Sequence, residues 1–265
     1  MAIRFASPLM QGQVASIHEE SDLKLADSAI PAGIKMLEGL LKSDPENPEL
    51  LLPLAEGLCN YAFSFVEDEN PERASRLYLR GRTYATRAMA AMGGPSGLTE
   101  LTQEKFKNAL ASVPESAMPS LYWTGRCWAG WLMLNLDDLE ALAAISKLES
   151  AMARVLEWDA TFDYAGPHVF FGSFYGSRTK LLGGDPEKSK HHFDHAIQLT
   201  DGKFLMAHFL YAKLYAVRVQ DRKLFEELLE KVMQSPLDEL PGRRLANEVA
   251  REKARVLLED ADVYF

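Results

Sequence analysis

The sequence lacks the residue patterns on which most catalytic sites and membrane spans depend. It contains no G-x-S-x-G, P-loop, G-x-G-x-x-G or H-E-x-x-H motif and no run of eighteen apolar residues. A formal net charge of −9 also argues against the basic surface that nucleic acids require. We therefore expect a protein that is not an enzyme, uses no cofactor or metal, and binds no nucleic acid.

Cysteine is equally scarce, and the two that occur, Cys59 and Cys127, lie in strongly apolar stretches. Two buried free thiols and a single disulfide are both compatible with this pattern. The first twenty residues contain one arginine or lysine, Arg4, and no apolar core segment. They therefore predict no signal peptide.

No stretch shows a convincing two-residue alternation typical of strands, whereas helix signals recur. The clearest helical hairpin spans residues 166–204. Pro167 suits the first turn of its first helix, and Gly183–Gly184 should end that helix after Leu182. Asp185 and Pro186 then have the positions of an N-cap and a first helical residue.

The second helix of this hairpin has Ser189, Phe193 and Ala196 at positions i, i+4 and i+7. Small, aromatic and small residues at this spacing are typical of tetratricopeptide-type hairpins, because the small residues admit a neighbouring helix. Related spacings recur in four further stretches, around residues 33–40, 54–65, 81–88 and 144–151. The sequence thus predicts an all-α protein, a degenerate tetratricopeptide-like array of about ten to eleven helices. We expect an irregular N-terminal segment over residues 1–22 and a single domain over residues 23–265.

Residues 119–135 form an apolar helix that carries Trp123, Trp128 and Trp131 around one charged residue, Arg126. A guanidinium in such surroundings must meet a carboxylate or face a polar cavity. Both a structural ion pair, for instance with Glu67, Asp137 or Asp138, and an anion-binding role remain open.

A second arginine, Arg178, is placed similarly on the helix that carries Phe170, Phe171 and Phe174. It suits stacking on an aromatic ring, and it equally suits a ligand carboxylate held against aromatic walls. We therefore regard the two arginines, the three phenylalanines and the three tryptophans as candidate ligand contacts.

The histidines give a weaker signal. His191 and His195 share one helix face at a spacing that suits a metal, but that face lies opposite Phe193 and no third ligand is evident. A solvated face is the interpretation that we favour over adventitious metal binding. His168, at the start of the preceding helix, is expected to be buried and hydrogen-bonded.

Six segments in this order resemble the T-component of TRAP transporters, a family of tetratricopeptide-like proteins that associate with a periplasmic solute-binding protein. They are NYAFSFVEDE (60–69), LYLRGRTYA (77–85), YWTGRCW (122–128), GPHVFFGSFY (166–175), GGDPEKSKHHFDHAI (183–197) and RLANEVAREKA (244–254). Together they span nearly the whole chain.

The resemblance implies a non-enzymatic periplasmic accessory protein that docks the solute-binding protein of a TRAP transporter. It further implies a homo-oligomer such as a trimer, and an apolar groove or pore that holds or passes a hydrophobic organic acid. Family members usually begin with a lipoprotein signal and a lipidated cysteine, so a lipid anchor is expected on the full-length precursor. The alternative is a cytoplasmic tetratricopeptide adaptor that recognises peptides, although such adaptors commonly present a basic groove.

Overall fold

The computed structural model describes the backbone of residues 3–265 and the side chains of residues 11–265. It is 79% helical, and the described residues form no strand, which confirms the all-α class. The thirteen helices of the described chain slightly exceed the ten to eleven expected.

The first seven helices are α1 (Ile3–His18), α2 (Leu23–Leu41), α3 (Pro48–Tyr61), α4 (Pro71–Ala91), α5 (Gln103–Ala111), α6 (Met118–Met133) and α7 (Leu139–Trp158). The next six are α8 (Phe162–Gly176), α9 (Pro186–Leu199), α10 (Leu205–Leu210), α11 (Arg222–Gln234), α12 (Arg244–Glu259) and α13 (Ala261–Tyr264). Two helices continue as wider π-helical turns, α3 through Ala62–Val66 and α10 through Tyr211–Ala216 into Val217–Val219.

Local capping explains where several of these helices begin. The side chain of Asn47 accepts a hydrogen bond from the Glu49 amide, and Asp185 accepts from the amides of Glu187 and Lys188. Each cap is followed by a proline, whose missing N–H costs nothing in the first helical turn. The predicted start of α9 is therefore confirmed.

Helix α1 occupies most of the segment that was expected to be irregular, residues 1–22. That expectation is wrong for residues 3–18. The first turn of α1 has no acidic residue. The charge pattern by which a helix start is usually recognised is therefore missing from this segment.

The chain packs as two compact units, which are described separately. One unit comprises residues 1–26 and 160–265, and the other comprises residues 27–159. We call them the terminal unit and the central unit. The single domain over residues 23–265 stays a prediction.

In the central unit, α3, α4 and α6 pack against one another around Gly81. A Cβ atom at this position would lie 2.8 Å from Cys127 Sγ and 3.2 Å from the Ala55 carbonyl oxygen. Cys59 and Cys127 are both buried free thiols here. Glycine therefore allows α4 to approach both neighbouring helices closely.

We expect Gly81→Ala to lower the free energy of unfolding by about 1–3 kcal/mol, because overpacking outweighs alanine's higher helix propensity. Gly39→Ala in α2 is the matched control, since a methyl group added there would meet nothing within 4 Å. That change is expected to stabilise by up to about 1 kcal/mol. Urea unfolding of both variants measures the difference, and stabilisation by Gly81→Ala would contradict this packing.

In the terminal unit, α8 and α9 form the hairpin predicted from the sequence. Ser189, Phe193 and Ala196 are all fully buried in it. A Cβ atom at Gly172 of α8 would lie 2.8 Å from the Phe193 ring, and the Ser189 hydroxyl donates to the Gly172 carbonyl at 2.7 Å. The predicted repeat register is thus confirmed for this hairpin.

Helix α8 ends at Gly176 and not at Leu182 as predicted, and a short 3₁₀ turn occupies Lys180–Leu182. The Phe174 carbonyl accepts a 2.8 Å hydrogen bond from the Arg178 Nε. In a continuing helix that carbonyl would accept from the backbone amide of residue 178. The arginine side chain therefore supplies the bond at the point where the helix stops.

Candidate functional site

The three tryptophans of α6 form an apolar wall in the central unit. Trp123, Trp128 and Trp131 are all buried, and Phe106 of α5 lies 6.3 Å from Trp128 between ring centroids. Aromatic rings at such distances contribute large buried apolar areas. The burial that the sequence predicts for this helix is confirmed, whereas its use as a ligand surface stays a prediction.

Arg126, also on α6, lies near Tyr78 and Cys127. Burial first, and then the Glu67 carboxylate, raise the pKa of Tyr78 well above its usual value, while the Arg126 guanidinium opposes the shift. The Tyr78 hydroxyl donates to Glu67 at 2.5 Å. Arg126 therefore lies near a polar pair formed by the buried Tyr78 hydroxyl and the half-buried Glu67 carboxylate.

A third arginine, Arg82 of α4, was missed in the sequence and lies against the tryptophan wall. Its guanidinium carbon is 5.5 Å from the ring centroid of Trp128 and 5.9 Å from that of Trp131. The sequence feature that could have identified Arg82 is its position directly after Gly81, which lies on the buried face of α4. A basic residue beside a buried stripe can reach the same interior with its long side chain.

The phenylalanines of α8 form a second apolar cluster, in the terminal unit. Phe170 stacks on Phe174 with centroids 5.2 Å apart, and Phe171 meets Phe170 edge-on at 5.1 Å. All three rings are buried. Their predicted proximity to one another is therefore present in the structure.

Arg178 is only 4% exposed and lies over the Phe174 ring, with its guanidinium carbon 3.5 Å from the centroid. Besides the bond to the Phe174 carbonyl, its NH2 group approaches the Gly183 carbonyl at 3.5 Å. These contacts join the end of α8 to the loop before α9. They favour the stacking interpretation of Arg178 over the ligand interpretation.

The structure thus distributes the eight candidate ligand residues over the two units. Arg126 and the tryptophans lie in the central unit, and Arg178 and the phenylalanines lie in the terminal unit. Within each unit the aromatic residues occupy one helix, as predicted. Their role as ligand contacts stays a prediction.

Four histidines cluster between α8 and α9. The Nδ1 atoms of His168 and His192 are 3.0 Å apart, and the His168 ring stacks on His195 with centroids 5.4 Å apart. His191 lies 4.2 Å from His195 between centroids. The expected burial and hydrogen bonding of His168 are confirmed, and the sequence interpretation missed the contribution of His192.

Burial, followed by repulsion from neighbouring imidazoles, lowers the pKa of His168 to about 4. The same causes, with a smaller effect of Lys188, lower the pKa of His192 to about 4. Both rings are therefore neutral at pH 7, and one Nδ1 donates to the other. Among the described side chains, no group of three or more histidine, cysteine, aspartate or glutamate residues is arranged to hold a metal ion.

A left-handed turn precedes the right-handed part of α8. Asp163, Tyr164 and Ala165 have φ values of 49°, 58° and 59°, which is a rare conformation for residues other than glycine. An ion pair joins Asp163 to Arg243, and the Arg243 guanidinium carbon lies 4.9 Å from the Tyr164 ring centroid. These contacts to the segment before α12 hold the turn in place.

This turn borders an open cleft of about 520 Å³ in the terminal unit. Its lining mixes hydroxyl, carboxylate, lysine and aliphatic side chains, namely Thr161, Asp163, Tyr164, Ala165, Leu199, Thr200, Asp201, Lys203, Glu239 and Leu240. No sequence motif indicated it, because its walls come from three separate parts of the chain.

The described helices include none that is both long and apolar enough to cross a membrane.

The family model described as TRAP transporter T-component matches residues 19–265, which is nearly the whole chain. The chain belongs to the TRAP transporter T-component family. The resemblance inferred from the six sequence segments is thereby confirmed. Membership of this family supports an accessory role for the chain in TRAP transport.

A protein of Treponema pallidum (strain Nichols), described as an uncharacterized protein, is similar to the chain over most of its length. The two are 24% identical over 268 residues, which cover 93% of this chain and 81% of that protein. The T-component assignment therefore rests on the family model, since this relative's description adds no activity.

Proposed function

We propose that the chain is a non-enzymatic, periplasmic T-component that docks the solute-binding protein of a TRAP transporter. The observation that carries this proposal is the match of the T-component family model to residues 19–265. Paired helices such as α8 and α9 support it, because helical-hairpin arrays bind partners through extended surfaces.

The proposal includes the assembly and anchoring that the family resemblance implies. The working form would be a homo-oligomer such as a trimer, and the full-length precursor would carry a lipid anchor. Oligomers of this kind present several identical docking surfaces, which increases avidity for a partner without any new contact.

The proposal also includes the handling of a hydrophobic organic acid. Such a ligand needs apolar walls for its hydrocarbon part and a cation for its carboxylate. The tryptophans of α6 (Trp123, Trp128, Trp131) are a proposed wall in the central unit, and the phenylalanines of α8 (Phe170, Phe171, Phe174) are a separate proposed wall in the terminal unit. Arg126 and Arg178 were the cations chosen from the sequence.

Docking is tested by isothermal titration of the purified chain with the solute-binding protein of a TRAP transporter from the same organism. We expect saturable binding, with a stoichiometry of one solute-binding protein per chain. A solute-binding protein from an unrelated transporter class, matched in size and net charge, is the control. Equal heats for the two proteins, with and without their solutes, would contradict the docking proposal.

A further inference from the structure

Arg82 differs from Arg178 and Arg243, which also lie over aromatic rings, in having its hydrogen-bond donors uncommitted, and it differs from the exposed Arg73 in being partly buried. Across the described side chains, no ion pair within 4.0 Å and no hydrogen bond involves the Arg82 guanidinium, whose contacts are with the Trp128 and Trp131 rings. By contrast, Arg178 donates to the Phe174 carbonyl and Arg243 pairs with Asp163. A guanidinium offers five N–H donors in a planar fork that matches a carboxylate.

The charge of Arg82 is also partly desolvated. Burial lowers its pKa, while Glu100 and Glu140 act on it from a distance in the opposite direction. Glu100 instead accepts a 2.8 Å hydrogen bond from the Thr99 hydroxyl. A cation removed from water without a direct partner is a costly arrangement for the protein alone.

A second donor lies on the ring under Arg82. The Trp128 indole Nε1–H is buried and has no hydrogen-bond partner among the described residues, and Trp128 as a whole is 3% exposed. Buried indole N–H groups normally find an acceptor, because leaving one unpaired costs the full desolvation of the group. Two uncommitted donors therefore share one aromatic wall.

We propose that Arg82 and the Trp128 indole N–H together bind the carboxylate of a small amphipathic acid, whose hydrocarbon part packs along Trp128 and Trp131. This inference rests on the proposed ligand handling and replaces Arg126 and Arg178 as the anchoring cation. The carboxylate accepts from both donors, which satisfies the indole N–H and neutralises the desolvated guanidinium. The indole faces supply the apolar contact.

The test uses dodecanoate as the probe and dodecan-1-ol as its uncharged counterpart, each below its micellar concentration, in isothermal titrations. Arg82→Met keeps an unbranched, flexible side chain and removes the charge and all five N–H donors. We expect it to weaken dodecanoate binding at least about tenfold and to change dodecanol binding by less than about twofold. Trp128→Phe, which keeps an aromatic ring and removes the N–H, should weaken dodecanoate binding about threefold to tenfold.

Arg76→Met is the matched control, because Arg76 lies on the same helix and is exposed. It removes the same formal charge and is expected to leave both affinities unchanged. Glu140→Gln removes one of the distant carboxylates that face Arg82, and it should tighten dodecanoate binding without affecting dodecanol. Circular dichroism and melting curves accompany each variant.

Dodecanol binding reports whether the tryptophan wall survives in Arg82→Met. Equal losses for the two probes, unchanged dodecanoate binding in Arg82→Met, or no dodecanoate binding by the wild type would each overturn the inference. Docking of the solute-binding protein is measured on the same variants. If Arg82→Met loses dodecanoate binding but still docks the solute-binding protein, the result supports Arg82 as the anchor. If no docking is seen while dodecanoate binding is intact and depends on Arg82, only the docking proposal is contradicted.

Discussion

Replacing Phe193 by alanine is expected to lower the free energy of unfolding by about 3–5 kcal/mol, the range for removing a fully enclosed phenylalanine. The Phe193 ring is fully buried, lies beneath Gly172, and stacks on Tyr211 with centroids 4.9 Å apart and planes 15° apart. A Cβ atom at Gly172 would lie 2.8 Å from this ring, so α8 packs closely on Phe193 and removal of the ring leaves a cavity between the two helices.

Leu199→Ala is the control for this change, since Leu199 lies on the same helix and is 45% exposed. It should cost less than about 1 kcal/mol. Urea unfolding of the two variants gives the comparison. A loss below about 1 kcal/mol for Phe193→Ala would show that the register of the α8–α9 hairpin is wrong.

Stability is expected to fall steeply as the pH drops from about 6.5 to about 4, because two histidines resist protonation in the folded protein. The pKa values of His168 and His192 are lowered to about 4 in the folded state. The unfolded chain therefore binds up to two more protons in this window, and acid favours unfolding. Above pH 6.5 both states are neutral at these positions, so their contribution does not change further.

The groups that face this pair are His191, His195, Lys188 and Tyr175. Each histidine contributes at most about 1.4 kcal/mol per pH unit, so the pair contributes at most about 2.7. Because His192 is partly exposed, solvent screening reduces its contribution to this pH dependence of stability. Chemical unfolding at a series of pH values measures the slope.

His192→Gln should reduce the slope of unfolding free energy against pH by the contribution of about one proton. An identical slope in wild type and His192→Gln would contradict the assignment of the acid sensitivity to this cluster.

Local signals were sufficient to predict much of the fold. Asp185 and Pro186 predicted the start of α9 because a cap and a first-turn proline act within four residues of one another. The spacing of Ser189, Phe193 and Ala196 predicted the buried face for the same reason, since helix periodicity requires no knowledge of the partner helix.

The same local signals failed where a distant group completes the structure. Gly183–Gly184 predicted the end of α8 six residues too late, because the Arg178 side chain takes the Phe174 carbonyl that a longer helix would use. The left-handed turn at 163–165 is likewise held by Arg243, which is eighty residues away in sequence, and no local motif encodes that contact.

The candidate site shows most clearly which features the sequence predicts and which depend on tertiary packing. The aromatic content of α6 and α8 was evident from the sequence, because apolar side chains on all sides of a helix predict burial whatever the neighbours are. Which cation meets those rings depended on how α4 packs on α6. Gly81 permits that close approach and brings Arg82 over Trp128, and only the tertiary structure shows a contact made between residues forty-six positions apart.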